Sequence, residues 1–518
     1  MKFQLFSMMN WVYPDTPIEN PNNTIKLDLA KNSREGFQIL TDLCFDNDVE
    51  VAYSHNGEVN VTLFQLLPVT VNANCGKELF TTMDYEEVKD FVTRKAPFDI
   101  YEVCRPLTDG VMRKGRAAFF VKIDVDADAK SGEYNDCLTV TVGDKSFNIP
   151  FSYKIYSAVI PSAENATVGM NNWLFYHKIV HDFNVKVGSK DYEELVENFI
   201  QSLLDIRSNY LMLPPLTPVI ENGKVVDFDY SETERVANIA IKKGFKRIVG
   251  DFAVKWKNCF AEEIYLKWNM DIDAVSDEGI RQLRLYFAKC AELLEKNKWG
   301  EKYLQGVMDE VEVNDFHNYE KVVKIFREYL PNVKINDPVE FAEAGKLVNV
   351  MVPKQVAYER EIESFQKEQE KGRDVWVYTC AFPAGKAMKR ILDLPLTATR
   401  LPLWLCYKYG LKGFLCWGYN WFTEDPYNNT CFKEDGVHPL PAGDNVLVYP
   451  GENNMPWQSL RAHVQRAAVE DNELLYLLGK KDKKLALKLV DKLCRSFTDY
   501  ETEPNVFYSV RKEVLENI

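Results

Sequence analysis

Between residues 166 and 421 the chain repeats one grammar eight times. A short apolar or β-branched run comes first, and in most cases a longer stretch with helical spacing follows. The runs are "ATVGMNNWLF", "NYLMLPP", "FKRIVGDF", "YLQGVM", "NVKIND", "LVNVMVP", "DVWVYTC" and "GFLCWGYNW". Among the intervening segments, "DYEELVENFIQSLL" sets Leu195, Phe199 and Leu203 on one helical face. "SETERVANIAIKKG" begins with Ser231 and Glu234 in capping-box spacing. A third segment aligns Ile280, Leu283, Phe287, Cys290 and Leu294. Eight such units over about 260 residues predict a (β/α)8 barrel of the TIM type. An open doubly wound sheet would carry a GxGxxG or P-loop signature, and neither is present.

Upstream, "TIKLDLA", "VNVTLFQLLPV", "AAFFVKIDV" and "CLTVTVGDKSFNIPFSYKIY" read as strands, with Gly57 and Gly143 in turn contexts. The expected class is therefore α/β plus all-β. An N-terminal antiparallel β-sandwich spans 1–160, a barrel 161–480 and a short C-terminal helical segment 481–518.

Lys+Arg 63 against Asp+Glu 77 gives a net charge of -14, which argues against a nucleic-acid partner. No run approaches 18 apolar residues, so no membrane span is expected. The opening "MKFQLFSMMNWVYPD" has no small-residue cleavage site, and the 11 cysteines contain no CxxC pair. Free thiols and a cytoplasmic location are the expectation, with secretion the alternative for a processed chain. His177 and His181 share a helical spacing, but Lys178 stands where a zincin has Glu. No metal and no cofactor are expected.

Asp309 and Glu310 follow "YLQGVM" directly. Barrels of this type build their active sites at the C-terminal ends of the strands, where the fourth run places this pair. Neighbouring carboxyls repel, so the first to ionise raises the other. One charged and one protonated carboxyl is the arrangement that general acid catalysis needs. The competing explanation has Asp309 capping the next helix and Glu310 opening a solvated loop. Other strand ends carry Trp173, Tyr378, Trp417, Tyr419, Asn420 and Trp421. Aromatic rings pack on pyranose C–H faces while polar groups bond hydroxyls, which makes these six the expected sugar-binding residues.

The stretches "YLQGVMDE", "DVWVYTCAFP", "TRLPLWLCYKYGLKGFLCWGYNWF" and "PAGDNVLVYPG" resemble glycoside hydrolase family 123, the β-N-acetylgalactosaminidases, and a related glycosidase-like group. "SLRAHVQRAAVEDNELLYLL" follows the same pattern, except that Asn472 stands where an aromatic is usual. The resemblance implies substrate-assisted catalysis by a retaining, exo-acting enzyme. Asp309 would orient the 2-acetamido group, and Glu310 would act as acid/base; Tyr378 would bond the acetamido oxygen. Two alternatives remain open: a glycosidase with a conventional carboxylate nucleophile acting on other sugars, and a catalytically silent carbohydrate-binding protein. The expected partner is a glycan or small glycoside.

Overall fold

The computed structural model describes residues 2–19, 23–257, 261–433 and 438–518. Two five-stranded sheets are built from residues 3–159. One runs in the order Phe3–Ser7, Arg34–Phe45, Gly115–Asp124, Asn60–Val71, Phe98–Pro106, with every pair antiparallel. The other runs Ile25–Lys31, Lys145–Val159, Gly132–Val142, Val49–His55, Val111–Met112. Gly143 takes the left-handed conformation (φ 59°) that the tight turn between Val142 and Lys145 requires.

One pairing departs from the antiparallel expectation. Ile25–Lys31 lies parallel to Lys145–Val159. After Lys31 the chain crosses at once to the opposite sheet at Arg34, so no hairpin dictates the direction of its partner.

Phe37, Ile39, Phe119, Val121, Leu138, Val140 and Phe151 fill the space between the sheets. The first sheet is also covered on its far side. Residues Arg34 to Thr41 are all buried, with Leu40 and Phe120 joining a core that includes Leu460 and Val464. That is why this strand does not show a clean in–out alternation.

From residue 169 onward, eight parallel strand segments pair in sequence order. They are Gly169–Asn172, Tyr210–Met212, Arg247–Gly250, Tyr303–Gln305, Asn336–Val339, Val350–Pro353, Asp374–Val375 continued by Val377–Thr379, and Gly413–Cys416. Single parallel bridges, Gln305–Ile335 and Lys354–Tyr378, link the two sheets they form. The eighth pairs with the first, which closes the circle of hydrogen bonds. Val249, Leu304, Val350, Val352, Trp376, Tyr378 and Leu415 pack together inside it. Gly169 and Gly413 give Trp376 its room, because a Cβ there would lie 2.4 and 2.1 Å from the indole.

Helices follow seven of the eight strands; after the fifth there is only the 3-10 turn Ala342–Lys346. Two helices follow the sixth strand, Gln355–Arg360 and Ile362–Glu370. The capping box at Ser231 does not form. Asp229 takes both the N–H and the hydroxyl of Ser231, while Glu234 bonds Lys296 and Asn297. Among the described residues no helix is long and apolar enough to cross a membrane.

Helix Leu460–Lys481 lies between sandwich and ring and is buried on nearly every side. Most of its polar residues are accordingly paired, while His463, whose ring nitrogens bond nothing among the described residues, packs on the Phe120 ring at 4.8 Å. Arg461 bonds Glu102 at 2.7 Å, and Glu470 bonds Arg207 at 2.9 Å. Asp471 holds Arg400 and Arg511, each at 2.7 Å, and Asn472 donates to the Leu403 carbonyl at 2.7 Å. Arg511 lies on the final helix Pro504–Asn517, so this network docks the C-terminal segment.

Candidate functional site

The fourth strand is shorter than its apolar run, ending at Gln305 rather than Met308. Beyond it the chain is pinned to the fifth strand. The buried Asp337 carboxylate accepts the N–H groups of Val307 (2.8 Å) and Met308 (3.1 Å), and the Tyr319 hydroxyl (2.8 Å). Past the acids, the Val311 N–H bonds the Pro338 carbonyl, and the Glu340 N–H bonds the Val311 carbonyl. Between these anchors the backbone kinks, and Glu310 adopts a left-handed φ of 50°. For a residue other than glycine this costs on the order of 1–3 kcal/mol, which the anchors on either side offset. The helix that follows is preceded by Asp315, so Asp309 is not its cap.

The two acids meet different surroundings. Burial first, and the charge of Glu310 second, hold the Asp309 carboxyl well above the ordinary range; Lys267 and Lys354 oppose this. Lys267 is engaged by Asp251 at 2.5 Å, beyond the third strand. Glu310 instead accepts a hydrogen bond from the Tyr378 hydroxyl and lies 3.3 Å from the Lys354 ammonium. Glu340 shares both partners, at 3.0 Å from Tyr378 and 3.1 Å from Lys354. Burial alone would lower Lys354, but Glu310, Cys380 and Glu340 together hold it above its usual value. Burial and then the neighbouring Glu310 and Glu340 keep Tyr378 protonated well past the usual phenol range.

The expected sugar-binding residues separate into two groups. Trp173 is half-buried, edge-on to Phe252 at 5.5 Å, and packs on the cluster that contains Tyr378. Trp417 donates its indole N–H to Asp444 at 3.0 Å, and burial raises that carboxyl to about 6. Trp421 is half-buried among Phe175 (4.7 Å), His177 (5.2 Å), Phe432 (5.7 Å) and Trp417 (6.1 Å). These four, counting Tyr378, keep surface or polar tips at the strand ends.

Tyr419 and Asn420 do not. The Tyr419 ring is fully buried against Phe199, with its hydroxyl directed to the Phe199 carbonyl. Asn420 is equally buried and clamps the backbone of Phe175 through its N–H and its carbonyl, at 2.9 and 3.1 Å. Both expectations give way to packing. The Phe199 ring closes over Tyr419, and the Phe175 backbone takes up the Asn420 amide, so neither side chain is left for a ligand.

Sequence reasoning missed Lys354, Glu340, Asp251 and Lys267. The first three directly follow the sixth, fifth and third strands, the same positional signal that found the acid pair. His177 touches Trp421 and is held below its usual value by burial, while His181 pairs with Asp182 at 2.7 Å. Among the described residues no group of three His, Cys, Asp or Glu side chains could hold a metal ion.

The family model for the glycoside hydrolase 123 catalytic domain matches residues 208–478. The chain belongs to glycoside hydrolase family 123. As a member, it contains both Asp309 and Glu310 inside the matched region. It is similar in structure to a family 123 glycoside hydrolase from Clostridium perfringens, with a TM-score of 0.74 and 14% identity. That similarity covers 99% of this chain and 96% of the other. A β-D-glucuronidase from Dictyoglomus thermophilum gives 9% identity and a TM-score of 0.36, over 90% and 97% of the two chains. A GH10 xylanase with an Ig-like domain from termite gut gives 11% and 0.33, over 86% and 99%. Neither of these two is close enough to carry an argument. No curated protein sequence matches the chain at a significant level. Family membership makes the protein a glycosidase acting on carbohydrate.

Proposed function

We propose that this family 123 glycosidase is a retaining exo-β-N-acetylgalactosaminidase-like enzyme working by substrate assistance. Its scaffold we read as a (β/α)8 barrel, a reading supported by the unbroken circle of parallel pairings. The observation that carries the mechanism is the contrast between adjacent acids. Burial favours a proton on Asp309, whereas Glu310 faces a cation and a hydroxyl donor.

In this reading the substrate's acetamido N–H comes to Asp309. The proton held there in the free site passes to Glu310, leaving Asp309 charged. The acetamido carbonyl oxygen then attacks the anomeric carbon as Glu310 protonates the departing oxygen, and a cyclic oxazolinium ion forms. Water opens that ion, with Glu310 now accepting a proton, and the configuration is retained. Trp173, Tyr378, Trp417 and Trp421 would hold the sugar, and no cofactor enters. The Clostridium perfringens enzyme is described in terms of glycolipid glycan hydrolysis, which makes a carrier-linked glycan a reasonable natural substrate class here.

A second reading has its own support. Glu340 lies on the same tyrosine hydroxyl as Glu310, so a conventional pair of carboxylates is at hand. A panel of nitrophenyl glycosides decides. Turnover of the GalNAc glycoside alone supports substrate assistance; turnover of sugars lacking the acetamido group supports the conventional pair. No turnover of any would leave only carbohydrate binding.

We also propose a reducing, cytoplasmic setting, because ten described cysteines are free. Thiol titration of the denatured, unreduced protein should find nearly all of them; several disulfides would reverse the assignment.

A further inference from the structure

Glu310 and Glu340 receive the same two donors through the same kind of atom. The Tyr378 hydroxyl reaches Oε1 of each, and the Lys354 ammonium lies 3.3 and 3.1 Å from those two oxygens. A phenol has one proton, so it can serve only one carboxylate at a time. The backbone of Glu340 is held on both sides. Its N–H is bonded to the carbonyl of Val311, the residue after Glu310, and its own carbonyl accepts from Arg360 at 2.5 Å. Resting on the reading of Glu310 as proton donor, we propose that Glu340 is a positioning residue. It takes over Tyr378 and Lys354 whenever Glu310 carries the proton.

The reason is the fate of Lys354. It is largely buried, and a buried ammonium whose only anion became neutral would be left uncompensated. With Glu340 beside it, the cation keeps a partner through both protonation states of Glu310, so loading the acid costs less. Other charged or titratable groups facing Glu310 are Asp309 and Glu312 on its own loop and Cys380 beyond the seventh strand; Lys267 acts on Asp309. Lys354 is thus the cation shared by the two glutamates.

The test is the pH dependence of kcat/KM on nitrophenyl and dinitrophenyl GalNAc glycosides, for wild type, Glu340→Gln, Glu340→Asp and Lys354→Met. Glu340→Gln removes a like charge and leaves both donors on Glu310, so the basic limb should move down by about one pH unit. Lys354→Met removes the cation, so that limb should move up by a similar amount. Glu340→Gln should lose about 10–100-fold on the nitrophenyl substrate and recover most of it on the dinitrophenyl one. Glu340→Asp should restore part of the loss. Should Glu340→Gln fail to fold, as judged by thermal melting, the aspartate and Lys354→Met profiles carry the test.

Limbs that stay in place, or that move in the same direction in both variants, overturn the inference. So does an equal loss for both leaving groups that azide restores, which would make Glu340 a nucleophile. Wild type inactive on every GalNAc glycoside would withdraw the Glu310 reading and this inference together. Wild type active with unmoved limbs would withdraw the Glu340 inference alone.

Discussion

Tyr378, at the end of the seventh strand, donates its hydroxyl proton to Glu310, at the kink beyond the fourth. The bond spans the ring between residues 68 apart in sequence and fixes one acid while the other stays out of its reach. Hydrogen bonds to charged groups contribute about 1.5–3 kcal/mol net. Tyr378→Phe should therefore lower kcat/KM by roughly 10–100-fold. Thermal stability should change little, because the ring still packs with Trp376 and Leu415. Unchanged activity would show that Glu310 needs no such donor.

The two acids should respond differently to the leaving group. Glu310→Gln should cripple substrates whose leaving oxygen needs a proton, and a dinitrophenyl leaving group should recover much of the roughly 10²–10⁴-fold loss. Asp309→Asn should slow every substrate alike, since it removes charge that stabilises the oxazolinium ion. A thiazoline mimic of that ion should inhibit wild type strongly. Equal rescue of both variants, or a trapped glycosyl-enzyme, would sink the assignment.

Stability should move the opposite way. Asp309 is raised in the folded protein, so the folded state holds a proton that the unfolded chain has already released. Wild-type stability contributed by this group is intact at pH below the ordinary carboxylate range. It is lost as pH rises toward the raised value. Asparagine does not titrate. Asp309→Asn should thus gain melting temperature relative to wild type at pH 8, and the gain should shrink toward pH 4. A gap independent of pH would mean that the carboxyl is not shifted.

Trp421 and Tyr419 are two residues apart and should fail differently. Trp421→Ala should raise KM with a modest loss of stability, because the indole is only half-buried. Tyr419→Ala should instead destabilise the fold by about 3–5 kcal/mol, as expected for emptying a buried aromatic site. Normal KM in Trp421→Ala alongside a comparable stability loss would place that indole in the core.

Asp471 is the shared anion of Arg400 and Arg511, and all three are buried. Asp471→Ala strands two guanidinium groups, although Arg400 keeps Glu35 at 3.1 Å. A loss of roughly 3–5 kcal/mol in chemical denaturation is expected. The C-terminal helix, which Arg511 anchors, should become the first segment exposed to protease. Wild-type stability in this variant would mean that the network is energetically neutral.

Much of the fold was legible from pattern alone. Seven of the eight strand runs contain an observed strand and the fifth overlaps the start of one, Asn336–Val339; Leu195, Phe199 and Leu203 are buried as their spacing requires. The failures were local rules beaten by neighbours. Ser231 and Glu234 have capping-box spacing, but Asp229 and Lys296 offer each a better partner. Alternation reports which face is buried and is silent on pairing direction, so the one parallel pair of the sandwich, Ile25–Lys31 with Lys145–Val159, leaves no mark on it. Trp173, Tyr378 and the acid pair are legible as candidates because each lies at or just beyond a strand or an apolar run. Lys354 ends one too, yet a lone lysine after "VNVMVP" looks solvated until two other strand ends are brought beside it.

Two features are written in the chain itself: strand runs that alternate with helices, and Asp309 and Glu310 side by side where an apolar run stops, just beyond the fourth strand. Both are properties of short windows, set by side-chain periodicity and by where an apolar run stops. What each acid faces, and which aromatics keep any surface, follows from contacts that no short window contains. The partners of Glu310 come from residues 354 and 378, and the packing that hides Tyr419 comes from Phe199. Contacts between distant positions depend on how the strands close around one another, and desolvation and charge act on what is near in space, whatever its distance along the chain.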